Sequence, residues 1–181
     1  NFKVNEDFPY RNQPIGVPML LEVFQKFPNA KLLLDVHCSN LKVVDLFVEL
    51  IETEFLRGDF IIASEHDKVI QRFRHKKPEW RYGAPSKEAK LMLYSSFLFL
   101  DVLFPIKSDI LILPKRYGSI NDLSKRVLNH AEKRNKPVWA WMYEGKYVKA
   151  VETKEEMELL YSLGVDGLFT EYPKKFLNEI I

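Results

Sequence analysis

Apolar runs alternate along this chain with amphipathic stretches of helical spacing, and the alternation repeats with short polar breaks between. The clearest case lies near the end. Val138-Trp-Ala-Trp-Met-Tyr-Glu144 is a β-prone run. It is followed by an amphipathic segment opened by Thr153 and closed by Gly164, and then by a second β-prone run over 167–172. Thr is a favoured helix N-cap and Gly a favoured helix stop, so the pattern predicts strand, helix, strand. Short connections of this kind require parallel strands and a right-handed crossover.

The same unit recurs upstream. Residues 1–17 are polar and turn-rich and are expected to form a loop. A helix is predicted over 18–27, a strand over 31–36, a long helix over 41–56 capped by Asn40, a strand over 59–64 and a helix over 67–75. A weak strand over 82–85 follows, then a mostly apolar helix over 87–104. A strand over 109–113, a helix over 120–135 with basic residues in its last turns, and a closing helix over 174–181 complete the pattern. Six strands, each followed by a helix, come after a leading helix that has no strand of its own. Two architectures compete. A doubly wound sheet lacks its Gly-rich phosphate loop here. A (β/α)8 barrel typically needs about 250 residues, so a barrel predicts an incomplete one: about six βα units in residues 1–181, one domain, with the first two units upstream.

Composition narrows the class. With 46% hydrophobic and 29% charged residues the chain is an ordinary globular one, and a net charge of +2 gives no reason to expect a nucleic-acid partner. The single cysteine, Cys38, fits a reducing compartment, and no signal-peptide pattern opens the sequence. A cytoplasmic protein, or one peripheral on a membrane, is expected. The apolar stretch from Leu91 to Ile106 contains Asp101 and Pro105 and is too short for a span. It is expected to be a buried helix, with a lid or a peripheral membrane contact as the sharper alternative.

In a barrel the chemistry gathers where strands end. Asp35 and His37 stand two apart at the end of the strand predicted over 31–36, so strand alternation puts both on one face, toward the mouth. A carboxylate there suits a hard divalent cation, Mg²⁺ or Ca²⁺. Trp141 is either a wall of the mouth or core. Lys115 and Arg116, after Leu113-Pro114, are placed to meet a phosphate, and Glu144 and Glu171 are further strand-end carboxylates. Glu65, His66 and Asp67 are expected in a solvated loop and N-cap, and His130 on a helix surface.

The C-terminal residues 138–144 and Leu163-Gly-Val-Asp-Gly-Leu-Phe-Thr-Glu-Tyr-Pro173 resemble the ending of the glycerophosphodiester phosphodiesterases. Val17-Pro-Met-Leu-Leu-Glu-Val23, Leu33-Leu-Asp-Val-His37 and Ala63-Ser64 resemble earlier segments of that family, and residues 91–106 resemble its lysophospholipase D-like branch. The resemblance implies a TIM barrel that uses a divalent metal, Mg²⁺ or Ca²⁺. Such an enzyme hydrolyses glycerophosphodiesters to an alcohol and glycerol 3-phosphate, or lysophospholipids to lysophosphatidic acid. It gives Asp35 the place of a metal carboxylate and Trp141 that of a substrate-packing residue. His37 stands where the family has Lys. The family's other catalytic histidines and metal carboxylates would lie upstream, so the 181-residue chain by itself is expected to be inactive. The rival reading is a non-catalytic barrel that binds phosphodiesters or a protein partner through the same mouth.

Overall fold

The computed structural model describes residues 14, 16–54, 56, 58–99, 104–115, 123–144 and 147–180. Helix α1 (Leu20–Lys26) leads into β1 (Lys31–Asp35), α2 (Lys42–Thr53), β2 (Asp59–Ala63), α3 (Asp67–Lys76), β3 (Arg81–Tyr82) and α4 (Ser86–Leu98). Then follow β4 (Leu111–Lys115), α5 (Lys125–Glu132), β5 (Val138–Glu144), β6 (Tyr147–Lys149), α6 (Lys154–Leu163), β7 (Gly167–Leu168) and α7 (Pro173–Ile180).

The caps behave as their chemistry dictates. Asn40 Oδ1 accepts the Lys42 amide at the start of α2. Thr153 and Glu156 close a reciprocal capping box on α6, and Gly164 ends that helix at φ +95°.

The strands pair in the order they occur. β1 pairs β2 and β2 pairs β3, all parallel. A parallel bridge from Gly83 to Ile110 joins β3 to β4, reinforced by the Ala84 amide donating to the Ile110 carbonyl. β4 pairs β5, and β5 pairs β7, again parallel. A doubly wound sheet reverses direction at a switch point, whereas a barrel steps around in sequence. This order is that of a barrel wall. The short β6 departs from it, running antiparallel to β5 as a hairpin. The sequence reading did not anticipate that hairpin.

Alternation divides each strand between an outer face, against the helices, and an inner face. Leu32, Leu34, Ile62 and Tyr82 pack with Val44, Phe47, Val69 and Phe73 of α2 and α3. Leu111, Leu113, Val138, Ala140 and Met142 pack with Val127, Leu128, Met157 and Leu160 of α5 and α6. The residues between them therefore face inward: Leu33 and Asp35 on β1, Ile61 and Ala63 on β2, Ile112 and Pro114 on β4, Trp139 and Trp141 on β5. Gly83 belongs to the same layer. A Cβ there would lie 3.3 Å from the Ala63 Cβ and 3.5 Å from the Ile112 Cδ1, so the lack of a side chain lets the neighbouring strands close up.

Two aspartates tie adjacent strands at their starts. Asp109 Oδ2 accepts the Tyr82 amide and Asp166 Oδ2 accepts the Val138 amide, each at 2.8 Å. Beside Asp166, a Cβ on Gly167 would fall 2.8 Å from the Trp139 ring. The Val-Asp-Gly piece of the C-terminal signature is thus explained by strand packing. Gly167→Ala is expected to destabilise the fold by about 1–3 kcal/mol through overpacking against Trp139, read as a lower urea midpoint at unchanged slope.

Between α2 and α3, Asp45 accepts two hydrogen bonds from Arg72 Nη2 at 2.7 and 2.9 Å and lies 2.9 Å from Lys76 Nζ. The Arg72 bonds, then those from Lys76, hold its carboxyl below the usual range. A carboxyl lowered on folding adds stability above its unfolded value, near 4, and gives it up as the pH falls below that. Asp45→Asn is therefore expected to melt lower than the wild type at neutral pH. The two melting curves should converge in acid.

Candidate functional site at the carboxyl ends of the strands

β1 ends on its inner face with Asp35, and the chain turns so that His37 Nε2 lies 3.2 Å from Asp35 Oδ2. The two side chains are 49% and 79% exposed, so the pair faces solvent at the rim, open to a ligand. The turn is held from β2. Ser64 Oγ donates to the Val36 carbonyl at 2.6 Å and accepts the His66 amide at 3.2 Å, while His66 Nε2 donates to the His37 carbonyl at 3.0 Å. The Val36 and His37 carbonyls next to Asp35 are thereby fixed from the neighbouring strand.

This corrects one expectation. Glu65, His66 and Asp67 do not form a merely solvated loop. His66 braces the His37 backbone, and Asp67 Oδ1 accepts the Lys87 amide at the start of α4, where a helix N-terminus favours negative charge. Ser64 and His66 were missed because neither lies on the inner face by alternation. Their role depends on which strand is the neighbour, which no local pattern reveals.

On the other side of the arc, Trp141 sits on the inner face of β5, one step nearer the mouth than Trp139, whose ring meets Phe169 edge-on at 6.2 Å between centroids. Trp141 is half-buried and has the inward parity of its strand. Lys115 ends β4 half-buried, with the parity of the outward Leu111 and Leu113. It does not share the Trp141 face, and only the reach of its long side chain would bring its ammonium to the mouth. Arg116 lies outside the described residues. Glu144 ends β5, and Glu171 is exposed after β7.

His130 is not on the surface. It is buried between α5 and α4, where Ser96 Oγ donates to the Met92 carbonyl at 2.7 Å and accepts from His130 Nδ1. The signal was present in the sequence: positions 127, 130 and 131 share one helical face with the apolar stripe. A hollow of about 350 Å³ lined by Phe60, Trp80, Asp59 and Arg81 lies at the amino ends of β2 and β3, the opposite pole from Asp35.

Among the described residues no group of three His, Cys, Asp or Glu side chains converges as a metal site. Asp35 fits one corner of a Mg²⁺ or Ca²⁺ coordination sphere, being a partly exposed oxygen donor whose present partner is only an exposed histidine. It does not make a whole site. No described helix is long and apolar enough to cross a membrane.

No protein-family model matches the sequence, and no curated protein matches it closely enough to count as a relative. Solved structures do match the fold. One is a protein from Galdieria sulphuraria provisionally named a glycerophosphodiester phosphodiesterase, with a TM-score of 0.65 and 17% identity over 90% of this chain. Another is provisionally named a glycerophosphoryl diester phosphodiesterase, from Silicibacter pomeroyi DSS-3, with a TM-score of 0.56 and 15% identity over 79% of this chain. The fold is that of a TIM-type barrel, present here as an arc of six parallel strands. The chain spans 63% and 47% of those two proteins.

Proposed function

We propose that this chain is the greater part of a glycerophosphodiester phosphodiesterase barrel. Such a protein hydrolyses glycerophosphodiesters, or lysophospholipids, to an alcohol and glycerol 3-phosphate or lysophosphatidic acid. One observation carries the reading: Asp35 and His37 share the inner, carboxyl end of a sequentially ordered parallel sheet, where barrels keep their chemistry, with Trp141 on the same inner face across the arc. The likeness of the fold to two proteins provisionally named as such enzymes adds to it.

A bound Mg²⁺ or Ca²⁺ would offset charge on the phosphodiester and lower the pKa of the attacking group. Asp35 would supply one of its oxygen ligands. His37, 3.2 Å from Asp35, would present a ring N–H donor to a phosphate oxygen. The Trp141 ring is suited to pack against the glycerol or acyl portion. Lys115 and Arg116 are candidates for holding the phosphate from the β4 side.

The test is to assay the native protein and the 181-residue chain side by side on glycerophosphocholine, with divalent cation and with chelator. Chelator-sensitive hydrolysis by the native protein is expected, and none by the chain alone. Within that activity, His37→Ala is expected to raise KM, because it removes the donor that stands beside Asp35 at the rim. Absence of hydrolysis under any metal condition would favour the second reading, a barrel that binds phosphodiesters without cleaving them. The feature behind that reading is His37, which stands where the resembling family has Lys.

A further inference from the structure

α4 is apolar on both of its faces. Met92 is buried toward α5, while Leu91, Tyr94 and Leu98 recur at helical spacing on the opposite side and are exposed. The stripe does not lie over the mouth. α4 begins beside Glu65 and Asp67, runs about 18 Å away from them, and turns the stripe away from the strands.

At its end Phe99 is 78% exposed and held at φ 58°, a left-handed conformation that bulky side chains rarely adopt. The Arg126 guanidinium lies over its ring, 3.3 Å from the centroid. An aromatic kept in solvent at a strained position, where Gly or Asn would be relaxed, points to a use for the side chain.

On α4 itself the exposed charges beside the stripe are cations. Lys87 and Lys90 are exposed on the same side of α4, and Arg126 flanks its far end. The single acid of the helix, Glu88, is turned inward, where it accepts from Arg74, Lys107 and Ser108.

We propose that this face of α4 docks on the surface of an anionic lipid bilayer, with Leu91, Tyr94, Leu98 and Phe99 entering the interface and Lys87 and Lys90 meeting lipid phosphates. A second copy of the chain is the poorer occupant, since a two-fold contact across the stripe would set like charges against one another. The proposal is independent of the phosphodiesterase reading, because it uses none of the mouth residues.

The experiment is sedimentation of the 181-residue chain with phosphatidylcholine vesicles, with and without phosphatidylserine. Binding to the phosphatidylserine vesicles is expected, weakening as salt is raised. The double variant Leu98→Glu/Phe99→Asn should lose about tenfold or more of its partition, and Lys87→Gln/Lys90→Gln should reduce it as well. Both variants alter exposed side chains, and Asn accepts a positive φ, so circular dichroism and melting should stay native. Equal binding to neutral and anionic vesicles, or unchanged binding by Leu98→Glu/Phe99→Asn, would overturn the proposal. A concentration-dependent dimer that Leu98→Glu dissolves, without vesicle binding, would overturn it in favour of a second copy.

Discussion

Asp35→Asn is expected to lower turnover of glycerophosphodiesters by the native protein on the order of 100-fold or more, while shifting its Tm by no more than about 2–4 °C. The two halves of this result separate function from fold. Asn keeps the shape of Asp35 but removes the charge that would hold a cation. In the fold, Asp35 contributes one 3.2 Å pair to a histidine that is 79% exposed, and exposed pairs are worth little. The β1–β2 ladder and the Ser64 and His66 bonds to the backbone do not involve the carboxylate. Undiminished turnover in Asp35→Asn would remove this residue from the site.

Glu88→Ala is expected to do the reverse, costing about 3 kcal/mol of stability with little change in turnover per folded molecule. Glu88 Oε1 accepts the Lys107 and Ser108 amides, each at 2.7 Å, and Oε2 accepts from Arg74 Nη1 at 3.0 Å. Arg74 also donates to Ser108 Oγ at 2.6 Å. One carboxylate thus links α3, α4 and the entry to β4. Its removal leaves two amides and a guanidinium without their acceptor, in a place where the two side chains are only 13% and 21% exposed. That partial exposure puts the cost at the lower end of the range for broken buried pairs. Arg74→Ala should cost a similar amount, and the double variant less than the sum, because both disrupt one network. Full additivity in a urea-denaturation cycle would show the links to be separate.

How far the chain could be read in advance depends on how local each determinant is. β2 and α2 were legible from an apolar run and a helical stripe, and the caps at Asn40, Thr153 and Gly164 from single residues. Alternation pointed to Asp35 and His37 together, but β1 ends at Asp35, so their 3.2 Å approach is set by the turn that follows. β3 was only weakly legible because it has two residues, and its place is fixed by the Gly83–Ile110 junction, a tertiary fact.

β4 runs two residues past the Leu113 end expected for it, through Pro114. The Leu111 amide donates toward β5, so by alternation the missing N–H of Pro114 lies on the β3 side, beyond the last β3 bond, and breaks nothing. The β5–β6 hairpin had a signal in the glycine at 145 between two β-prone pairs, overshadowed by the stronger strand–helix–strand pattern. At the site, the inner-face residues were legible by parity. The bracing by Ser64 and His66 was not, because it crosses between strands.

The most direct test of the central claim is nuclear magnetic resonance of the native protein titrated first with Mn²⁺ and then, with Mg²⁺ present, with glycerol 3-phosphate. If the carboxyl ends of the strands are a phosphodiester site, Mn²⁺ will selectively broaden the Asp35 and His37 resonances. Glycerol 3-phosphate will then shift His37 and the Trp141 indole, and Asp35→Asn will abolish the broadening. Broadening that leaves Asp35 and His37 sharp, together with an unmoved Trp141, would contradict the account.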